Sequence, residues 1–123
     1  MHLLLVDDDA LVLSSARRAL SLLRPGWTLT EATSLPVALS LVPTLPAFDV
    51  IVCDLNLGAD SGLDVLRAAM LAHPETLRVL LSGDRPPLGT DADLIHATVR
   101  KPVSLSELLK VIESERPTAP TAA

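Results

Sequence analysis

The chain's pattern predicts a single α/β domain built on a doubly wound, five-stranded parallel sheet. Three observations carry that prediction. Strand-like and helix-like segments alternate five times along the 123 residues, the rhythm of a parallel sheet with crossover helices. The runs at 2–6 and 49–53 are continuously aliphatic rather than alternating, as in strands covered on both faces. The length is that of one domain and suffices to bury roughly two thirds of the extended surface.

Each element has its own local reason. His2 to Val6 (HLLLV) reads as the first strand and ends in Asp7-Asp8-Asp9. Val12, Ala16, Ala19, Leu20 and Leu23 recur at i, i+4, i+7, i+8 and i+11, a helical stripe, and Pro25-Gly26 stops that helix. Asp9 suits its N-cap. Trp27 to Ala32 alternates and reads as an edge strand. Leu35 to Val42 forms a short second helix. Residues 49–53 are the central strand and run into Asp54. A third helix starts near Ser61, carries Leu63, Leu66 and Met70, and stops before Pro74. Residues 77–81 and 94–99 supply the fourth and fifth strands, running into Ser82-Gly83 and Lys101-Pro102. Ser104-Leu105-Ser106-Glu107 is a capping box opening a last helix that buries Leu105, Leu108, Leu109 and Ile112. One segment breaks the rhythm. Gly83 to Asp93 holds Pro86-Pro87 and Gly89 and has no helical stripe, so the fourth helix is expected to be short or missing. The domain is expected to span 1–116, with 117–123 (PTAPTAA) a disordered tail or linker.

Composition excludes several classes. Hydrophobic residues make up 49% of the chain, yet it has one Trp, one Phe and no Tyr, so the core must be aliphatic. A net charge of −5 argues against nucleic acid as a direct partner, since phosphate neutralisation needs a basic face. No apolar run approaches the length of a membrane span, and Met1-His2 leads straight into a strand without a signal peptide. The lone cysteine, Cys53, reads as a small core residue and fits a reducing cytoplasm. His2, His73 and His96 lack metal-ligand spacing, and Arg17-Arg18 reads as a solvated helix face.

The polar residues gather where the strands end. In open parallel sheets, ligands bind outside the carboxyl ends of the strands, where strand order reverses. If the first and third strands flank that reversal, Asp7, Asp8 and Asp54 face one another and repel. A divalent cation relieves that repulsion, and Mg²⁺ prefers a few hard oxygens with several waters. Asp8 and Asp54 could bind it directly, Asp7 through a water, and the Asn56 backbone carbonyl could add a third protein oxygen. A carboxylate can also be a nucleophile, forming an acyl-phosphate, and Asp54 is the best placed. The Lys101 ammonium and the Ser82 hydroxyl could then neutralise the oxygens of a phosphoryl group. Gly83 leaves room for its entry, a cis Lys101–Pro102 bond would be consistent with an aimed lysine, and Asp84 is either a loop acid or an influence on water attack.

Four pieces in order, LLLVDDD at 3–9, FDVIVCDLNLGADSGLDVL at 48–66, VLLSGD at 79–84 and VRKPV at 99–103, make the chain resemble the receiver domain of two-component response regulators. That resemblance implies the flavodoxin-like, CheY-like fold with sheet order 2-1-3-4-5. It implies Asp54 as the phospho-acceptor, Asp7 and Asp8 as the acidic pair holding Mg²⁺, Ser82 as the switch hydroxyl and Lys101 as the phosphoryl-contacting lysine. It also implies a cytoplasmic setting, a sensor histidine kinase or histidine phosphotransfer protein as donor, and a downstream protein target or fused output domain. The chain would be a phosphoprotein rather than an enzyme, with at most slow autodephosphorylation. Three departures stand out. Thr98 occupies the place of the usual Tyr or Phe, the Ser82-to-Lys101 spacing is about three residues short, and Gly58 stands where the family often has Pro.

Two other readings use the same residues. Haloacid-dehalogenase-like phosphohydrolases also use a strand-end Asp, a Ser/Thr, a Lys and Mg²⁺, but expect D-x-D, against Asp54-Leu55-Asn56 here, and further acids after the lysine. A receiver-like interaction domain that works without phosphate is motivated by Thr98 and the 83–93 segment.

Overall fold

A computed structural model of the chain describes residues 1–83, 85 and 89–115. Five parallel strands form one sheet: β1 (His2–Val6), β2 (Thr28–Ala32), β3 (Val50–Asp54), β6 (Leu77–Ser82) and β7 (Ala97–Arg100). Their order is β2-β1-β3-β6-β7, which is 2-1-3-4-5 when the sheet's own strands are counted. A small antiparallel hairpin, β4 (Asn56–Leu57) with β5 (Asp60–Ser61), lies between β3 and the third helix. Helices α1 (Ala10–Leu23), α2 (Leu35–Leu41), α3 (Gly62–Ala72) and α4 (Leu105–Glu115) complete the described elements.

Period-two alternation divides the core between the two sheet faces. Leu4, Val6, Ile51, Cys53 and Leu80 pack with α2 and α3 residues such as Ala38, Val65, Leu66 and Ala69. Leu3, Leu5, Val50, Val52, Val79 and Leu81 pack with Leu13 and Leu20 of α1 and Leu108 and Ile112 of α4. Each fully buried aliphatic side chain contributes about 1.5–3 kcal/mol. With one Phe and one Trp in the chain, these aliphatics carry the fold.

The sequence stripe on α1 needs correction. Val12 and Leu23 are 48% and 49% exposed, while Leu13 and Leu20 are buried, with Ala16 packed beside them. Two apolar stripes share this helix, and packing against β1 and α4 selects the one through Leu13. The other helices follow expectation. Ser61 caps α3 and Ser34 caps α2. The Asp9 carboxylate accepts from the Leu11 and Val12 N–H groups, making it the α1 N-cap. At α4, Ser104 Oγ accepts from Glu107 N–H at 3.4 Å.

Among the described residues between β6 and β7 there is no helix. Asp84, Pro86-Pro87 and the 117–123 tail lie outside the described residues. The last strand starts at Ala97, three residues later than the 94–99 run predicts. Leu94 sits instead in a turn and is buried against the α2/α3 face. The return of this crossover is held by Arg78, only 3% exposed. Its guanidinium donates to the carbonyls of Leu94 (2.8 Å), Asp93 (2.8 Å), Pro74 (3.1 Å) and Thr76 (3.3 Å). The backbones of Arg78 and His96 are joined as well: His96 N–H donates to Arg78 C=O, and Arg78 N–H to His96 Nδ1.

Candidate functional site

β1, β3 and β6 end side by side, because Val6 pairs with Cys53 and Asp54 with Leu81 in the parallel register. The residues just past those ends are therefore brought to one edge. Carboxylate oxygens of Asp7, Asp8 and Asp54 all lie within 4.8 Å of one another. Asp7 and Asp54 are buried, at 4% and 5% exposure, and Asp8 is exposed. Lys101, one residue past β7, places Nζ 2.6 Å from Asp54 Oδ2. Its own N–H donates to the Ser82 carbonyl at 3.0 Å, which ties the lysine loop to the end of β6. Ser82 is buried at 3% exposure on the adjoining strand end, and Gly83 beside it is exposed. The Lys101–Pro102 peptide is cis.

Backbone donors hold the carboxylates. Asp54 Oδ1 accepts from Asn56 N–H at 3.2 Å, Asp7 Oδ1 from Asp9 N–H at 2.9 Å, and Asp8 Oδ2 from Gly58 N–H at 3.1 Å. The start of α3 packs against the back of Asp54. A Cβ at Gly62 would fall inside the Asp54 carbonyl group and 2.9 Å from Cys53 Sγ, so the close approach requires glycine.

The electrostatics follow from three acids and one base in a small volume. Burial, with the nearby Asp54 charge, raises the Asp7 carboxyl above its ordinary value, against the lowering by the Asp9 N–H and Lys101. Burial alone would lower the Lys101 ammonium. The hydrogen bond and charge of Asp54, with Asp7 and Asp8, outweigh it and hold Lys101 above its ordinary value. Burial first, then Asp54 and Asp7, push the Cys53 thiol up, so it stays a neutral core group. Like-charged hard oxygens converging in this way are the donor set a small divalent cation takes, and the residues present fit Mg²⁺.

All the sequence candidates Asp7, Asp8, Asp54, Asn56, Ser82 and Lys101 thus stand at one sheet edge. Asp9 does not join them and serves as the cap. Sequence reasoning missed the β4–β5 hairpin and the Gly58 donor. The hairpin alone had a signal: Gly58-Ala59 separates Asn56-Leu57 from Asp60-Ser61, a two-residue Gly-x hairpin turn.

The model of the response regulator receiver domain family matches residues 3–113 of this chain. The chain is 35% identical over 96 residues to the alginate biosynthesis transcriptional regulatory protein AlgB of Pseudomonas aeruginosa. That match covers 78% of the chain and 20% of the regulator, so the chain spans about a fifth of that relative's length. Among solved structures, a CheY-like receiver domain protein from Methanospirillum hungatei superposes with a TM-score of 0.79 at 23% identity, over 93% of this chain and 91% of that one. The signal receiver domain of an HD domain-containing protein from Pseudomonas fluorescens gives 0.74 at 28% identity, over 93% and 85%. With the strand order, the acid cluster and the strand-end lysine in place, the chain belongs to the response regulator receiver domains of two-component signalling.

Proposed function

We propose that Asp54 accepts a phosphoryl group from a phospho-histidine donor, a sensor histidine kinase or a histidine phosphotransfer protein. Mg²⁺ would be held by Asp7, Asp8, Asp54 and the Asn56 backbone carbonyl. The observation that carries this reading is the Lys101 ammonium at 2.6 Å from Asp54 inside the three-carboxylate cluster. An Asp54 oxygen attacks phosphorus and forms the new P–O bond. The P–N bond to the donor imidazole breaks, its electron pair stays on the ring nitrogen, and the phosphoryl group ends as an acyl-phosphate. When bound, the metal supplies positive charge for the phosphoryl oxygens. Lys101 exchanges its contact with Asp54 Oδ2 for one with a phosphoryl oxygen, and Ser82 donates to another. The protein acts on itself rather than turning over a substrate.

The phosphorylated state would shift the population between two conformations. Thr98 is exposed on β7 and has no ring, so the change would travel through Ser82, the backbone of 83–93 and the strand around Thr98 rather than through an aromatic rotamer. A downstream protein or fused output domain in the cytoplasm would read it. Thr98 also motivates a second reading, a receiver scaffold that binds partners without phosphate.

Intact-mass measurement after incubation with Mg²⁺ and a small acyl-phosphate donor tests the main reading. Wild type is expected to gain one phosphoryl group and Asp54→Asn none. A folded wild type that gains none refutes it, and a beryllofluoride complex with unchanged partner affinity favours the second reading.

A further inference from the structure

We infer that Gly58 is a positioning residue for the cation: its backbone N–H orients the Asp8 carboxylate and preorganises the Mg²⁺ site. This inference rests on the proposed Mg²⁺-dependent chemistry at Asp54. Asp8 is the exposed member of the acid cluster, so packing confines its rotamer less than those of the buried Asp7 and Asp54. Its Oδ2 accepts a hydrogen bond from Gly58 N–H at 3.1 Å across fifty residues of sequence. One Asp8 carboxylate oxygen also lies within 4.8 Å of oxygens of Asp7 and Asp54, so the same side chain meets both the cluster and the hairpin. Backbone donors behind a ligating carboxylate set its orientation and basicity, and their loss weakens metal binding about 10-fold or more.

The donor exists because of the turn. Gly58 has φ +66 and Ala59, like every non-glycine described, does not have positive φ. Glycine at the first central position is what a type II′ hairpin turn requires. The turn joins Leu57 to its partner Asp60 and lifts the Gly58 amide toward the loop after β1. Proline could neither adopt this φ nor donate. A residue at which the family resemblance leads one to expect Pro therefore supplies, in this chain, a bond from the β3–α3 connection to the β1–α1 loop. The same hairpin carries Asn56, whose N–H holds Asp54. One short hairpin thus orients two of the three carboxylates.

The test separates the amide proton from the backbone shape. Gly58 is replaced by glycolic acid, which keeps the conformational freedom and deletes only the N–H. A synthetic 53–123 segment ligated at Cys53 delivers it. Mg²⁺ affinity is read by titration calorimetry, beside the thermal midpoint. The ester protein is expected to bind Mg²⁺ about 10-fold more weakly. Equal Mg²⁺ affinity in the ester and wild-type proteins overturns the inference alone. A wild type that binds no Mg²⁺ overturns both the inference and the reading on which it rests.

Discussion

Asp7 is a buried acid in a pocket of like charge. It is buried, faces the charge of Asp54, and its carboxyl is raised above the ordinary range. An acid whose folded-state pKa is raised destabilises the folded protein above that pKa, because the native state binds the proton more tightly than the unfolded chain. Asp7→Asn keeps an acceptor for the Asp9 N–H and removes the charge. Without metal, this variant is expected to be more stable than wild type at neutral pH. The advantage is full above the raised folded-state pKa and closes as pH falls through it toward the ordinary carboxylate value. Urea unfolding of both proteins across that range checks it, and an advantage that grows toward low pH contradicts it. Most of the site was legible at this scale. Asp7, Asp54, Ser82 and Lys101 each follow an apolar run, and a parallel sheet delivers strand ends to one edge. Gly58 was not legible as a donor, because nothing local says which acid its N–H meets.

At the scale of elements, the crossover from β6 to β7 is where this chain departs from its expected architecture. A helix packs its stripe on a sheet; here, among the described residues, Leu94 and the Arg78 guanidinium occupy the α2/α3 face instead. A buried cation is costly unless its donors are paired, and four carbonyl contacts engage four of the five guanidinium N–H groups. Arg78→Met is expected to cost about 2–4 kcal/mol, since it leaves buried carbonyls of Leu94 and Thr76 unpaired. Arg78→Lys should not restore the loss, because a single ammonium cannot span carbonyls that a planar fork reaches. Urea unfolding gives the magnitude. Amide exchange should quicken first at 89–96, and uniform quickening would contradict a local brace. Arg78 escaped sequence reasoning because an arginine inside LRVLLS looks like one polar interruption of a strand, and two of its partners, Asp93 and Leu94, lie fifteen and sixteen residues away. The α1 stripe held at Ala16 and Leu20 but erred at Val12 and Leu23 for a related reason: Leu13 offers a competing apolar position, and only the neighbours decide.

For the molecule as a whole, the site is a weak point that a ligand should repair. Three carboxylates at one edge oppose folding, and any cation that binds only the folded cluster stabilises it by mass action. At ten times its dissociation constant, Mg²⁺ should add about 1.4 kcal/mol, a rise in the thermal midpoint of about 5 °C. Asp7→Asn should lose most of that rise while gaining in the metal-free state. Binding needs ionised carboxylates, so the midpoint shift should shrink as pH falls through the raised value of Asp7. Calorimetric scans with and without Mg²⁺ at several pH values check both, and a shift independent of pH would place the cation elsewhere.

Alternating strand and helix patterns, continuous aliphatic runs and the polar residues closing them determined the fold class and most of the candidate site, because periodicity and burial are local properties of the chain. The tertiary structure decided what depends on distant partners. It selected the Leu13 stripe of α1, brought the Gly58 N–H to Asp8, and used Arg78 to hold a crossover without a described helix. Each is a contact between segments far apart in sequence, and such contacts are set by packing geometry rather than by any pattern within the segment itself.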